Sequence, residues 1–167
     1  MPESSSTTSK PLFNKLLVAL DGSESSQRAA QVALELAEKL KTDLIVLHAI
    51  TPPTSYYHST IASPTGMSLP ATSQHEIDAY YAYARKAAMG IVGETESKAK
   101  KQGIHVKTEI PEAVSSVVET IINHATKENV DLIIVGTRGL GGFKKMLLGS
   151  VSSGIVSHAH CPVLVVR

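Results

Sequence analysis

Residues 131–152 read DLIIVGTRGLGGFKKMLLGSVS, an apolar run that opens into a loop rich in glycine. An unbroken apolar run is typical of a strand buried on both faces, as in a parallel sheet. Four glycines follow within residues 136–142, and Gly149-Ser150 stands where the next helical pattern starts. The segment therefore predicts a strand, a glycine-rich loop and a helix in succession.

The same alternation of strand and helix extends over the rest of the chain. Apolar runs predict further strands at Leu16–Leu20, Leu44–Ile50, Ile104–Ile110 and Val163–Val166. Helical patterns predict a helix capped by Ser23, one over Glu76–Gln102, one marked by Val114–Ile122 and one over Ser150–His158. The predicted fold is α/β, an open five-stranded parallel sheet with helices on both faces. Ligands bind such sheets beyond the carboxyl ends of the strands, here at the loops after the first and fourth strands.

Length and composition favour a single domain with two unusual segments. A chain of 167 residues with 43% hydrophobic residues is long enough for one domain, which we place at residues 11–167. Residues 1–10 contain six Ser or Thr, so we expect a disordered tail. Residues 51–75 contain no Lys, Arg, Asp or Glu and four of the eight prolines, which indicates a long polar insertion.

Several functional classes are disfavoured by composition. The formal charge of +1 and the aromatic content of 4% argue against a nucleic-acid-binding protein. The single cysteine, Cys161, excludes an intramolecular disulfide and suits a reducing compartment. We find no signal peptide or segment apolar enough to span a membrane, so we expect a soluble, cytoplasmic protein.

The glycine-rich loop is the candidate binding segment. Without Cβ atoms, Gly136 and Gly139 let their N–H groups approach an anion closely, and the helix start at Gly149-Ser150 favours phosphate oxygens. Hydroxyl and positively charged groups nearby belong to Ser150, Ser152, Arg138, Lys144 and Lys145. The loop matches neither a Walker A motif nor the G-x-G-x-x-G dinucleotide motif. From the residues alone, glycines that merely make turns in a surface loop remain an open alternative.

The spacing Gly136-x2-Gly139-x9-Gly149-Ser150 resembles the ATP-binding signature of the universal stress protein family. Residues 17–23, 47–49 and 161–167 also resemble that family's first strand and turn, second strand and last strand. The resemblance implies a Rossmann-like sheet of order 3-2-1-4-5 and a homodimer. One departure is Glu109-Ile110-Pro111, where the family usually has Gly-x-Pro.

The resemblance also implies roles for individual residues. Asp21 would contact the ribose or adenine side, and Ala19, Ala49 and Val135 would line the adenine pocket. The ribose and phosphates would be held by Gly136, Gly139, Gly149, Ser150 and Val151. Arg138 and Ser152 complete the predicted site through their charge and hydroxyl group. From position alone, Asp21 could equally cap the first helix or its turn.

The remaining candidates favour binding over chemistry. The loop from Gly136 to Ser152 contains no Asp or Glu, so we assign no catalytic residue and predict an ATP-binding regulatory module, with or without Mg²⁺. A slow ATPase, or a dimeric interaction protein that needs no nucleotide, is the alternative. His158 and His160 point apart on a helix, so we predict no metal site. The apolar last strand predicts a homodimer interface.

Overall fold

The computed structural model describes residues 12–53, 73–137, 139 and 148–167. The predicted tail and all of the insertion except residues 51–53 and 73–75 therefore lie outside the described residues. Arg138, Lys144 and Lys145 lie outside them as well.

Five strands and four helices alternate along the described ranges. They are β1 (Lys15–Ala19), α1 (Glu24–Leu40), β2 (Asp43–Leu47), α2 (Gln74–Lys101), β3 (Val106–Glu109), α3 (Val117–Lys127), β4 (Leu132–Gly136), α4 (Ser150–His158) and β5 (Val163–Val166). The strands form one sheet of order β3-β2-β1-β4-β5, and every neighbouring pair is parallel. The predicted fold class and strand order are confirmed.

The sheet is covered on both faces because successive side chains of its strands point to opposite sides. In β1, Leu16 and Val18 pack into one hydrophobic cluster, together with apolar residues of α1 and α2. Leu17 packs into the other cluster, together with residues of α3 and α4 such as Ile121 and Ile155. Two buried faces explain the continuous apolar runs of the central strands.

Serine side chains set the starts of three helices. Ser23 caps α1 as predicted, accepting a hydrogen bond from the N–H of Ser26 at 3.2 Å. Ser73 caps α2 in a capping box with Glu76, so α2 starts at Gln74, inside the predicted insertion. Ser116 caps α3. Val114, which we expected in that helix, precedes it and is 76% exposed.

The strands on the β3 side of the sheet are shorter than predicted. The β2–β3 ladder runs only from Leu44 opposite Val106 to Leu47 opposite Glu109. Beyond it, Ile50 forms a single bridge to Glu112. The predictions for α4 and β5 agree with the structure at both ends.

Helix α2 is much longer than the strands beside it. Its 28 residues span about 42 Å, against roughly 17 Å for a five-residue strand. The buried residues of α2 are Ala88, Val92, Thr95 and Ala99, all in its C-terminal half. The other half therefore projects past the sheet at the carboxyl ends of the strands.

Candidate functional site

A cavity of 610 Å³ opens where the order of the strands reverses. Its walls include the carboxyl ends of β1, β2 and β4, together with residues of α2, α3 and α4. One residue of α1, Ser26, reaches it from the first turn of that helix. This is the position at which ligands bind other open parallel sheets.

The cavity brings together ten of the eleven predicted site residues. They are Ala19, Asp21, Ala49, Val135, Gly136, Gly139, Gly149, Ser150, Val151 and Ser152. The eleventh, Arg138, lies outside the described residues. The structure thus shows that these residues share one cavity, while their contacts with a ligand stay predictions.

Asp21 belongs to the turn between β1 and α1 as well as to the cavity wall. Its Oδ1 atom accepts a hydrogen bond from the N–H of Ser23 at 2.9 Å, which stabilises the turn. The helix itself is capped by Ser23, so Asp21 is not the cap. Among the described residues that line the cavity, Asp21 has the only carboxylate, and none is a Lys or Arg.

A side chain at Gly136 or Gly139 would come into close contact with other parts of the protein. A Cβ atom at Gly136 would lie 2.7 Å from the carbonyl carbon of Ser25 and 2.8 Å from the nitrogen of Ser26. A Cβ atom at Gly139 would lie 2.7 Å from Oδ2 of Asp21. Gly136 therefore lets α1 pack against β4, and Gly139 lets the loop after β4 approach Asp21.

The start of α4 is held by main-chain contacts. Gly149 precedes the helix and makes no side-chain cap, while its N–H donates to the carbonyl oxygen of Thr137 at 2.7 Å. The Ser152 hydroxyl donates to the carbonyl oxygens of Thr137 and Gly149, both at 3.0 Å. The hydroxyl proton of Ser152 is therefore already used in bonds to main-chain carbonyl groups. Ser152 could donate to a ligand, as predicted, only by giving up these bonds.

The first amides of α4 have no acceptor within the helix. In any helix the first N–H groups have no carbonyl acceptor in the preceding turn. In α4 these include the N–H groups of Ser150 and Val151. Both residues are exposed and line the cavity. Together with the helix dipole, these amides favour an anionic group at this end of the cavity.

His48 lines the cavity although it was not among the predicted site residues. It follows β2, is half-buried and lines the cavity. Its Nδ1 lies 2.8 Å from the carbonyl oxygen of Leu20. Because a carbonyl only accepts, Nδ1 carries a proton, and Nε2 is an acceptor whenever the ring is neutral.

Sequence reasoning missed two walls of the cavity. Tyr80, Ala84 and Ala87 line it from α2, and Val117 and Ile121 line it from α3. In each set the later residues lie four or seven positions after the first, which places them on one face of their helix. That spacing was visible in the sequence, but nothing in it indicates that this part of α2 lies beside the loops.

Cys161 and the two histidines that precede it have partners and surroundings within the protein. Burial raises the pKa of the Cys161 thiol above its usual value, so the thiol stays protonated. His160 Nδ1 lies 3.1 Å from the Thr126 hydroxyl. Within the described ranges no three His, Cys, Asp or Glu side chains form a group that could hold a metal ion.

The described helices also include none that is both long and apolar enough to cross a bilayer.

The fold and the cavity define a Rossmann-like α/β protein with its candidate ligand site at the strand-order switch. The chain belongs to the universal stress protein family, whose model matches residues 12–167. It is 36% identical over 156 residues to the universal stress protein YxiE of Bacillus subtilis, covering 93% of this chain and 100% of that protein. It is 29% identical to the universal stress protein MJ0531 of Methanocaldococcus jannaschii, covering 93% of this chain and 83% of that protein.

Solved structures show the same fold. The universal stress protein UspA from Lactobacillus plantarum superposes with a TM-score of 0.70 at 26% identity, covering 93% of this chain and 98% of that one. A universal stress protein in complex with cAMP superposes with a TM-score of 0.63 at 22% identity, covering 93% of this chain and 97% of that one. A family member from Arabidopsis thaliana with AMP bound gives 0.58 at 21% identity, covering 92% and 90%. At these last two identities the likeness concerns the fold alone.

Proposed function

We propose that the protein is an ATP-binding regulatory module and that the nucleotide occupies the 610 Å³ cavity. The observation that carries the proposal is the cavity itself, which combines an apolar side with a helix start whose first amides have no acceptor within the helix. An adenine ring suits the former and a phosphate chain the latter. The structures with cAMP and AMP show that similar proteins bind adenine nucleotides.

The residues around the cavity suggest how the nucleotide is held. Ala19, Ala49 and Val135 would surround the base, and the carboxylate of Asp21 would accept hydrogen bonds from the ribose hydroxyls. The amides of Ser150 and Val151, with the Ser150 hydroxyl, would donate to phosphate oxygens. Because Gly139 lets the loop after β4 approach Asp21, the groups that hold the ribose and those that hold the phosphates would be close enough to bind one nucleotide.

Mg²⁺ fits this site only as a companion of the nucleotide. Asp21 is the one carboxylate among the cavity-lining residues that the structure describes. Since Mg²⁺ prefers oxygen ligands and retains several waters, phosphate oxygens and water would supply most of its coordination. Phosphate-bound Mg²⁺ of this kind would neutralise charge on the phosphate chain.

Binding rather than hydrolysis is the function that the site supports. Hydrolysis needs a residue that positions the attacking water beside the terminal phosphate. In the described part of the cavity, the only carboxylate is engaged in the turn after β1 through its bond to Ser23. We therefore expect slow turnover at most, and a regulatory response that depends on whether nucleotide is bound.

Two measurements test the proposal. Mass spectrometry of the denatured, freshly purified protein should identify any nucleotide that co-purifies. Calorimetric titration of nucleotide-free protein should then show binding of ATP, ADP and AMP. An absence of binding at millimolar concentrations of all three would contradict the proposal. Steady-state phosphate release faster than about one per second would instead indicate an enzyme.

The assembly and the location are further parts of the proposal. Strand β5 lies at one edge of the sheet, so we propose a homodimer in which two copies of this edge cover each other. The cytoplasmic location stays a prediction based on the single cysteine.

A further inference from the structure

We propose that Tyr80 forms the wall of the cavity against which the base stacks, and that it favours purine over pyrimidine nucleotides. The inference rests on the proposed nucleotide-binding function and names a residue that the family signature does not contain.

Tyr80 reaches the cavity through its side chain. It lies in α2, where main-chain groups bond within the helix, and it lines the cavity together with Ala84 and Ala87. These residues follow at i+4 and i+7, on the same face of α2. Because alanine side chains are small, they leave open the space beside the tyrosine ring.

A hydrogen bond fixes the position of the ring. The Tyr80 hydroxyl donates to the carbonyl oxygen of Thr51 at 2.8 Å. Thr51 follows β2 and also lines the cavity. The Tyr80 side chain therefore spans the gap between α2 and the segment after β2. Because its hydroxyl is hydrogen-bonded to Thr51, the Tyr80 ring has little freedom to rotate away and remains a wall of the cavity.

The strand order places Tyr80 at the base end. β2 and β4 lie on opposite sides of β1, and the glycine-rich loop and α4 follow β4. The partner of Tyr80, Thr51, comes two residues after Ala49, which is predicted to contact adenine. Tyr80 thus belongs to the β2 side, away from the helix start that would hold phosphate.

An aromatic wall at this place discriminates by ring size. Bases stack on tyrosine rings because both are flat and polarisable, and a purine offers a larger area for contact than a pyrimidine. A ribose phosphate without a base gains nothing from such a wall. The ring of Tyr80 should therefore contribute to the affinity for AMP, less to that for CMP and not to that for ribose 5-phosphate.

The alternative is that Tyr80 only packs the helix. Its ring does meet that of Tyr81 edge to face, with centroids 5.6 Å apart and planes at 77°. A packing role would alter stability without altering base preference. Tyr83 provides a matched control, since it lies in the same helix, is 76% exposed and does not line the cavity.

Calorimetric titration of AMP, CMP and ribose 5-phosphate against four proteins tests the proposal: wild type, Tyr80→Leu, Tyr80→Phe and Tyr83→Leu. We expect Tyr80→Leu to weaken AMP about tenfold, CMP less, and ribose 5-phosphate within twofold. Tyr80→Phe should keep most of the AMP affinity because it retains the ring. Tyr83→Leu should match wild type.

Tyrosine fluorescence gives a second measurement, and its comparison of two ligands on wild type does not depend on the stability of a variant. The chain has no Trp and five Tyr, so its intrinsic emission comes from tyrosine. AMP should quench the wild-type emission more than ribose 5-phosphate does, and Tyr80→Leu should lose most of that difference.

The possible failures are distinguishable. If wild type binds AMP but Tyr80→Leu keeps its affinity, or loses affinity equally for AMP and ribose 5-phosphate, Tyr80 is not a base contact and only this inference falls. Equal quenching of wild type by AMP and by ribose 5-phosphate would overturn it as well. If wild type binds none of the three ligands, the proposed function falls and takes this inference with it.

Discussion

Two glycines that look equivalent in the sequence have different roles at the residue scale. A side chain at Gly136 would meet the main chain of Ser25 and Ser26, which cannot move without displacing the start of α1. Among the described residues, a side chain at Gly139 would meet the carboxylate of Asp21, which can rotate. The missing side chain at Gly136 therefore allows α1 to pack against β4, whereas that at Gly139 leaves room for Asp21 in the cavity wall.

Alanine at the two positions should separate these roles. We expect Gly136→Ala to lower the free energy of unfolding by about 1–3 kcal/mol, the usual cost of overpacking. Gly139→Ala should change stability little and weaken adenosine and ATP alike, because it displaces Asp21. Chemical denaturation and calorimetric titration of both variants provide the measurements. Equal losses of stability in the two variants would contradict this assignment.

Gly149 offers a test of the phosphate end. Its backbone is extended, with φ −75° and ψ 167°, so valine can adopt it without backbone strain. Because Gly149 lines the cavity at the start of α4, Gly149→Val should obstruct the phosphate chain and reduce ATP affinity at least about tenfold, or 1.4 kcal/mol. Adenosine binding should change less. Unchanged ATP affinity would mean that this helix start does not hold phosphate.

At the residue scale, local sequence indicated which residues lie together, while their contacts with a ligand stay predictions. The glycine spacing and the turn at Asp21 mark residues that share one cavity, because these residues lie near the carboxyl ends of strands or at the start of α4. Tyr80 was not among the predicted site residues, because its place in the cavity depends on where α2 lies relative to the sheet. That relation comes from tertiary packing, and no local pattern encodes it.

At the element scale, the order of helices and strands was predicted better than their boundaries. Ser73 and Glu76 form a capping box, and Ser116 followed by Glu119 has the same S-x-x-E spacing. Attention to that spacing would have placed both helix starts correctly. The ends of α4 and β5 were predicted correctly because glycine and proline mark them.

The capping box makes the start of α2 sensitive to pH. The hydrogen bond from the main-chain N–H of Ser73, followed by the bond from its hydroxyl, lowers the pKa of Glu76 below 4.5. A lowered carboxylate pKa stabilises the fold above the unfolded pKa, and that stabilisation is lost as the pH falls through the folded pKa. Wild type should therefore unfold at a higher temperature than Glu76→Gln at pH 7.

Thermal unfolding from pH 7 down to pH 3 checks this expectation. The difference between wild type and Glu76→Gln should shrink below pH 4.5, where Glu76 becomes protonated and resembles glutamine. A difference that stays constant over this range would show that the Glu76 charge has no part in the cap.

At the scale of the whole molecule, the predicted homodimer depends on β5, the strand at one edge of the sheet. The carbonyl oxygens of Pro162 and Val166 accept hydrogen bonds from Ile133 and Thr137, on the β4 side. Because successive residues of a strand alternate in direction, the main-chain groups of Val163 and Val165 face the free edge.

Proline at Val165 tests the predicted homodimer with little harm to the protomer. Val165→Pro removes an N–H that faces outward and leaves the ladder to β4 intact. We expect wild type to sediment as a dimer at micromolar concentration and Val165→Pro as a folded monomer. Leu164→Pro is the contrasting variant, since it removes an N–H directed at β4 and should destabilise the protomer itself. A wild-type monomer with nucleotide present would refute the dimer.

The overhang of α2 has a consequence for motion. Its C-terminal half is anchored by Val92 and Ala99, whereas its N-terminal half has no buried residue before Ala88. That half is connected to the loops by the bond from Tyr80 to Thr51 and by the ion pair of Arg85 with Glu112 at 3.0 Å. Because this half contains no buried residue, it can open locally at a free energy well below that of global unfolding.

Amide hydrogen exchange should therefore report occupancy of the cavity. Without nucleotide, amides of residues 78–87 should exchange much faster than those of residues 92–99 in the same helix. A base bound against Tyr80 would link this half of α2 to the sheet and slow its exchange, while residues 92–99 change little. One continuous helix would then behave as two cooperative units, one exchanging through global unfolding and the other through fluctuations that the ligand suppresses.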